Sequence, residues 1–194
     1  MLRKATHPID PVFTKRWSAR AFDPSPMPNE DLLTMIEAAR WAPSAYNIQP
    51  WRFVYIQRED QRWSDYVNVL NPFNASWGKD ASALIFVASD TLVDQEADDP
   101  VSSGYHSFDT GAAWAQLGLQ ATMLGYSAHA VAGVLFDEAK ALIKMPDRFK
   151  LEIAIVVGKR AHPKKLPQDL QQREHPSNRM ALGDISFNGH FPND

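Results

Sequence analysis

The sequence predicts an α+β protein: a mixed central sheet flanked by helices, built as one domain over residues 1–194. Three observations predict it. Short β-branched and aromatic runs (RFVYIQ at 52–57, ALIFVA at 83–88, LEIAIVV at 151–157) are scattered between longer stretches of helical periodicity. The run at 83–88 is continuously apolar rather than alternating, as expected of a strand covered on both faces. The length of 194 residues lies near the ~150-residue size of a single domain.

Taken in order, residues 13–20 lead into DPSPMP at 23–28, whose prolines impose an extended connector. Asn29, Glu30 and Asp31 offer N-cap and first-turn chemistry to a helix in which Leu32, Ile36 and Ala39 recur at helical spacing, closed by Pro43. Residues 59–70 fit an exposed helix. Residues 91–105 are polar, with Asp94, Glu96, Asp98 and Asp99 clustered, and read as a solvated loop. Residues 108–125 form the most apolar helix, buried on most faces in a core or a subunit interface, with Gly125 as its stop. A short helix at 137–144 is ended by Pro146. The segment 161–194 lacks periodicity, yet Leu166, Met180, Leu182, Ile185, Phe187 and Phe191 are too many apolar residues to leave in water. It is expected as a C-terminal arm docked on a partner subunit.

Composition excludes several function classes. Net charge is −3, from 20 basic and 23 acidic residues, so nothing singles out nucleic acid or an anionic membrane as a partner. The absence of cysteine removes disulfides, zinc–thiolate sites, iron–sulfur clusters and cysteine nucleophiles together. The six histidines are scattered without metal-ligand spacing. No apolar signal region precedes the first prolines, and the longest uncharged apolar run, at 111–125, falls short of the ~18–20 residues of a membrane span. A cytoplasmic protein without a membrane role is expected. Dinucleotide-fold glycine motifs, a P-loop and a GxSxG elbow are all missing, so no catalytic side chain and no metal ligand is named.

Three polar clusters remain. In RWSAR at 16–20, an extended chain would put Arg16, Ser18 and Arg20 on one side, two guanidinium forks and a hydroxyl suited to a phosphate or another planar anion; the same stretch also reads as a solvated basic segment. In PSAYNIQPW at 43–51, Ser44, Asn47 and Gln49 can donate and accept, and so could read the edge of a heterocycle; a plain helix-to-strand turn accounts for it equally. Phe73-Asn74 precedes the strand at 83–88 and means little alone.

Together these pieces resemble the nitroreductase family, FMN-dependent and usually homodimeric flavoenzymes. The resemblance runs from TKRWSARAFDPSPMPNEDLL and EAARWAPSAYNIQPWRFV through FNASWGKDASALIFVA and DTGAAWAQLGLQATMLGYSAHAVAGV to the IAIVVG strand and PSNRM. The combination of RxSxR with PSxxNxQPW is specific at this separation. It implies that Arg16, Ser18 and Arg20 contact FMN, Arg16 at the phosphate and Arg20 nearer the ribityl chain or the N1/C2=O edge, with Trp17 supplying backbone contacts. It implies that Pro43, Ser44, Ala45, Asn47 and Gln49 reach FMN from the other subunit, and that Asn74 addresses the pyrimidine side of the ring. Ala132-Gly133 aligns with a stretch whose N–H groups face flavin N5 and O4, and Arg179 with a C-terminal phosphate-binding arginine. The apolar helix would then be the dimer core. Two departures stand out: Ser177 replaces a basic residue, and Trp77 stands where some members carry a lysine close to the ring, so that its indole either covers the flavin or packs in the wall.

The resemblance implies an NAD(P)H-dependent FMN oxidoreductase acting in ping-pong turnover on nitroaromatic or quinone-type acceptors, with two interface sites per homodimer. The alternatives are a flavin-binding module without turnover and a specialised dehalogenating or flavin-fragmenting relative.

Overall fold

The computed structural model describes residues 3–93 and 101–192. Its elements follow as α1 (Pro11–Lys15), α2 (Asn29–Arg40), β1 (Trp51–Gln57), α3 (Trp63–Asn68), α4 (Pro72–Gly78), β2 (Ala83–Asp90), α5 (His106–Met123), β3 (Ser127–Val131), α6 (Phe136–Leu142), β4 (Phe149–Gly158) and α7 (Gln168–Gln171). The α+β class is as predicted. The mixed sheet is not found among the described strands: the order is β1-β2-β4-β3 and all three pairings are antiparallel. The cause is topological. The helical crossover through α5 makes β3 run parallel to β2, but β4, last in sequence, inserts between them and opposes both.

Every residue of β2 is buried, which explains its unbroken apolar run. Leu84 and Phe86 enter one core with Phe22, Tyr66, Leu70, Trp77 and Val156. Ala83, Ile85 and Val87 enter the other with Leu32, Met35, Trp51, Leu117 and Ala121. The pleat thus sends alternate side chains to α3, α4, α6 and α7 on one face and to α2 and α5 on the other. Gly125 (φ 76°) ends α5 as expected, its N–H bonding the Thr122 carbonyl.

Several local expectations are corrected. Asn29 lies inside α2, whose N-cap is Pro28 without a side-chain bond; Asp31 in the first turn instead accepts a 2.6 Å hydrogen bond from Tyr126. The exposed helix expected over 59–70 shrinks to α3, with Tyr66, Val67, Val69 and Leu70 buried, because its apolar residues face the sheet. Strand β3 and helix α4 were not legible, since both are short and rich in small or polar residues. Asp94, Glu96, Asp98 and Asp99 lie outside the described residues. The C-terminal segment divides. Leu166 and Leu170 are buried in this chain's own core, so the arm is not free from 161 onward, whereas Met180, Leu182, Ile185, Phe187 and Phe191 stay exposed.

Candidate functional site

Residues 16–20 run extended after α1, with Trp17 and Ala19 buried and Arg16, Ser18 and Arg20 half-exposed on the other side, the alternation that the sequence predicts. Side chains fix this segment. The Glu174 carboxylate accepts from the Arg20 N–H (2.9 Å) and the Ala21 N–H (2.8 Å). From beneath, His129 Nδ1 donates to the Ala19 carbonyl (2.9 Å), and Arg3 donates to the Arg16 carbonyl (2.7 Å).

A cavity of about 240 Å³ opens above the segment, lined by the guanidinium-bearing Arg3, Arg16, Arg20, Arg173 and Arg179 together with Ser18. None of the five arginines is in an ion pair with a carboxylate among the described residues, and Arg20 Nε is buried without a partner. Burial, then the Arg179 charge, holds Arg16 below the ordinary arginine range. Burial and the Arg173 charge do the same to Arg20 against an opposing pull from Glu174. Mutually repelling, partly desolvated guanidinia are stabilised by an anion able to accept several charge-assisted hydrogen bonds.

An adjoining groove of about 420 Å³ shares Arg16 and Ser18 and is otherwise apolar, walled by Phe13, Trp114, Leu119 and Ala130. Ala130 lies on β3; Ala132, two residues further on, continues toward Gly133 and Asn74. Asn74 is held there by two bonds. Its N–H bonds the Asn71 side chain that caps α4, and its amide donates to the Gly133 carbonyl (3.1 Å). A Cβ at residue 133 would collide with the side-chain amides of Asn71 and Asn74, so any residue other than glycine forces them to shift.

The loop at 43–49 is not brought to the others within one chain: Pro43, Ser44, Ala45, Asn47 and Gln49 line neither the arginine cavity nor the groove. Its geometry is nonetheless specific. The Ala45 N–H bonds the buried Asp109 carboxylate (3.0 Å), and the Gln49 N–H bonds Ser44 Oγ (3.0 Å). Tyr46, Asn47 and Gln49 all hold positive φ, a cost that non-glycine residues bear only where the surroundings impose it. Tyr46 is 96% exposed.

Trp77 departs from the expected cofactor contact. It is 1% exposed and lies between Phe22 and His129, stacked on the imidazole at 4.9 Å, so it packs in the wall. Sequence reasoning missed Arg3 and Arg173. Their only signal was charge near the chain's ends, which says nothing about convergence. It also missed His129, whose burial pushes the imidazole down to about 4. Among the described residues no group of histidine and carboxylate side chains could hold a metal ion.

The family model for the nitroreductase family matches residues 13–74. A solved structure described as an oxidoreductase containing FMN is 45% identical, superposes with a TM-score of 0.96, and covers 99% of this chain and 97% of its own. The chain belongs to the nitroreductase family. A nitroreductase family protein from Clostridium difficile 630 shares the fold at a TM-score of 0.73 and 21% identity, covering 95% of this chain and 100% of that one. The Major NAD(P)H-flavin oxidoreductase of Aliivibrio fischeri is 34% identical over 87 residues, 43% of this chain and 40% of that protein, so the match spans less than half of that relative's length. The CLA biosynthesis enone reductase of Lactiplantibacillus plantarum is 26% identical over 77% of this chain and 84% of its own length. Within this chain the family match takes in the 16–20 segment, the 43–49 loop and Asn74, while Ala132, Gly133 and Arg179 lie outside it.

Proposed function

We propose that the chain is an FMN-dependent oxidoreductase that works as a cytoplasmic homodimer, taking electrons from NAD(P)H and passing them in ping-pong turnover to nitroaromatic or quinone-type acceptors. The observation that carries this reading is the cluster of unpaired guanidinia opening onto an apolar groove, the complement of a flavin that ends in a phosphate. The similarity to a structure described as containing FMN supports it.

FMN, when bound, supplies the hydride chemistry, so no side chain need serve as nucleophile or base. Arg16 and Arg179 with Ser18 would hold the phosphate end, and Arg20 would sit nearer the ribityl chain or the N1/C2=O edge. A cation at Arg20, with one N–H already buried and unpaired, also favours negative charge on the group it faces. Asn74 and the backbone of Ala132 and Gly133 would orient the heterocycle's polar edge. Ser44, Ala45, Asn47 and Gln49 would reach the site of a second copy, supported by the strained, outward-facing loop that carries them. The exposed Phe108 and Met123 of α5 and the apolar residues of 180–191 would be covered by that copy. Among the described residues no helix is long and apolar enough to cross a membrane.

The test is a visible absorption spectrum of the purified protein supplied with FMN, before and after anaerobic NADPH and NADH. Flavin bands that bleach support the reductase half-reaction. Bands that persist favour a binding module or a specialised relative, and no bands at all would overturn the cofactor assignment.

A further inference from the structure

Arg3 lies outside the stretch matched by the family model, yet the fold brings it into the same cavity as Arg16 and Arg179. Part of its fork is committed to backbone. Nη1 donates to the Arg16 carbonyl at 2.7 Å and Nε to the Ser177 carbonyl at 2.8 Å. Those two carbonyls belong to the two segments that carry the neighbouring cations, so Arg3 sets their spacing as well as adding charge. A guanidinium presents five N–H donors in a rigid fork, and the donors not used on backbone remain for a ligand. Burial, then the charges of Arg179 and Arg16, hold the Arg3 guanidinium below its ordinary range. Among the described residues, the carboxylate whose charge reaches Arg20, Glu174, is occupied by the backbone of Arg20 and Ala21. Three like charges converging without a carboxylate among them are unfavourable until a multiply charged anion arrives, and a phosphate monoester carries about −1.5 to −2 charges near neutral pH.

We propose that Arg3 is a specificity-determining residue of the cofactor site: it clasps the 16–20 segment to the 177–179 segment around a dianionic phosphate, and so selects FMN over the same flavin without phosphate. The proposal rests on the FMN reading above. Riboflavin meets the same groove, Asn74 and Gly133, but has nothing for Arg3 to address.

The test compares the full-length wild type with Arg3→Ala and Arg3→Lys, each loaded with FMN or with riboflavin. Dissociation is read on dilution from the return of free-flavin fluorescence. In Arg3→Ala the Kd for FMN rises roughly 10- to 100-fold, the loss of a charged hydrogen-bonding partner. Riboflavin affinity changes less than about two-fold and so reports that the variant is folded. Arg3→Lys restores the charge without the fork and recovers part of the loss. Equal weakening of both flavins would reduce Arg3 to a structural clasp and overturn the proposal, as would an unchanged Kd for FMN. A wild type that holds FMN while Arg3→Ala holds it equally well sinks this inference alone. A wild type that holds neither flavin sinks the cofactor reading with it.

Discussion

His129 makes the fold sensitive to acid in a window that one substitution can erase. Its imidazole is 9% exposed, stacked on Trp77, and flanked by the charges of Arg16 and Arg20. Because a carbonyl only accepts, the bond to Ala19 fixes the proton on Nδ1 of the neutral ring. Burial is the largest cause of the fall in pKa from 6.5 to about 4; the two arginines reinforce it and the Ala19 bond opposes it. A group whose folded pKa lies below its unfolded one binds protons preferentially in the unfolded state between those values. The stability it contributes is therefore complete above about pH 6.5 and is lost as pH falls toward about 4. At about 1.4 kcal/mol per unit the full loss is about 3 kcal/mol, of which about 2 kcal/mol falls between about pH 7 and pH 5. His129→Phe keeps the ring stack, removes the titration and leaves the Ala19 carbonyl unpaired, a pH-independent cost of about 1 kcal/mol. Urea unfolding at fixed protein concentration at both pH values checks it. The wild type loses about 2 kcal/mol more than His129→Phe over that interval. Equal losses in the two proteins would refute the assignment of the acid sensitivity to this imidazole.

Gly133→Ala forces the amides of Asn71 and Asn74 aside and breaks the Asn74–Gly133 bond and the α4 cap; a thermal melt should register a cost of about 2 kcal/mol, one for each bond. Arg16→Ala combined with Arg179→Ala should strip FMN on gel filtration, and full flavin retention would contradict the phosphate assignment. Trp77→Leu should cost about 3 kcal/mol of stability while leaving the Kd for FMN within about two-fold, since the indole packs in the core; a folded variant that has lost FMN would refute this. Glu174→Ala removes the acceptor that holds the Arg20 and Ala21 N–H groups, and hydrogen exchange of those two amides should quicken roughly ten-fold.

What local sequence determined is the direction in which side chains point. Alternation placed Arg16, Ser18 and Arg20 on one side of an extended segment, unbroken apolar runs announced β2 and α5, and helical spacing announced α2, because periods of two and of 3.6 residues are properties of neighbouring residues. Tertiary structure decided what converges. The insertion of β4 between β2 and β3 made the sheet antiparallel. The stacking of His129 turned Trp77 into wall, and the burial of Leu166 and Leu170 tied the start of the C-terminal segment to its own chain. The same folding brought Arg3, Arg173 and Arg179 from opposite ends of the chain to Arg16. Their spacing along the sequence carries no periodicity, and the distance between them is set only when the sheet, its two faces of helices and the returning C-terminal segment have closed on one another.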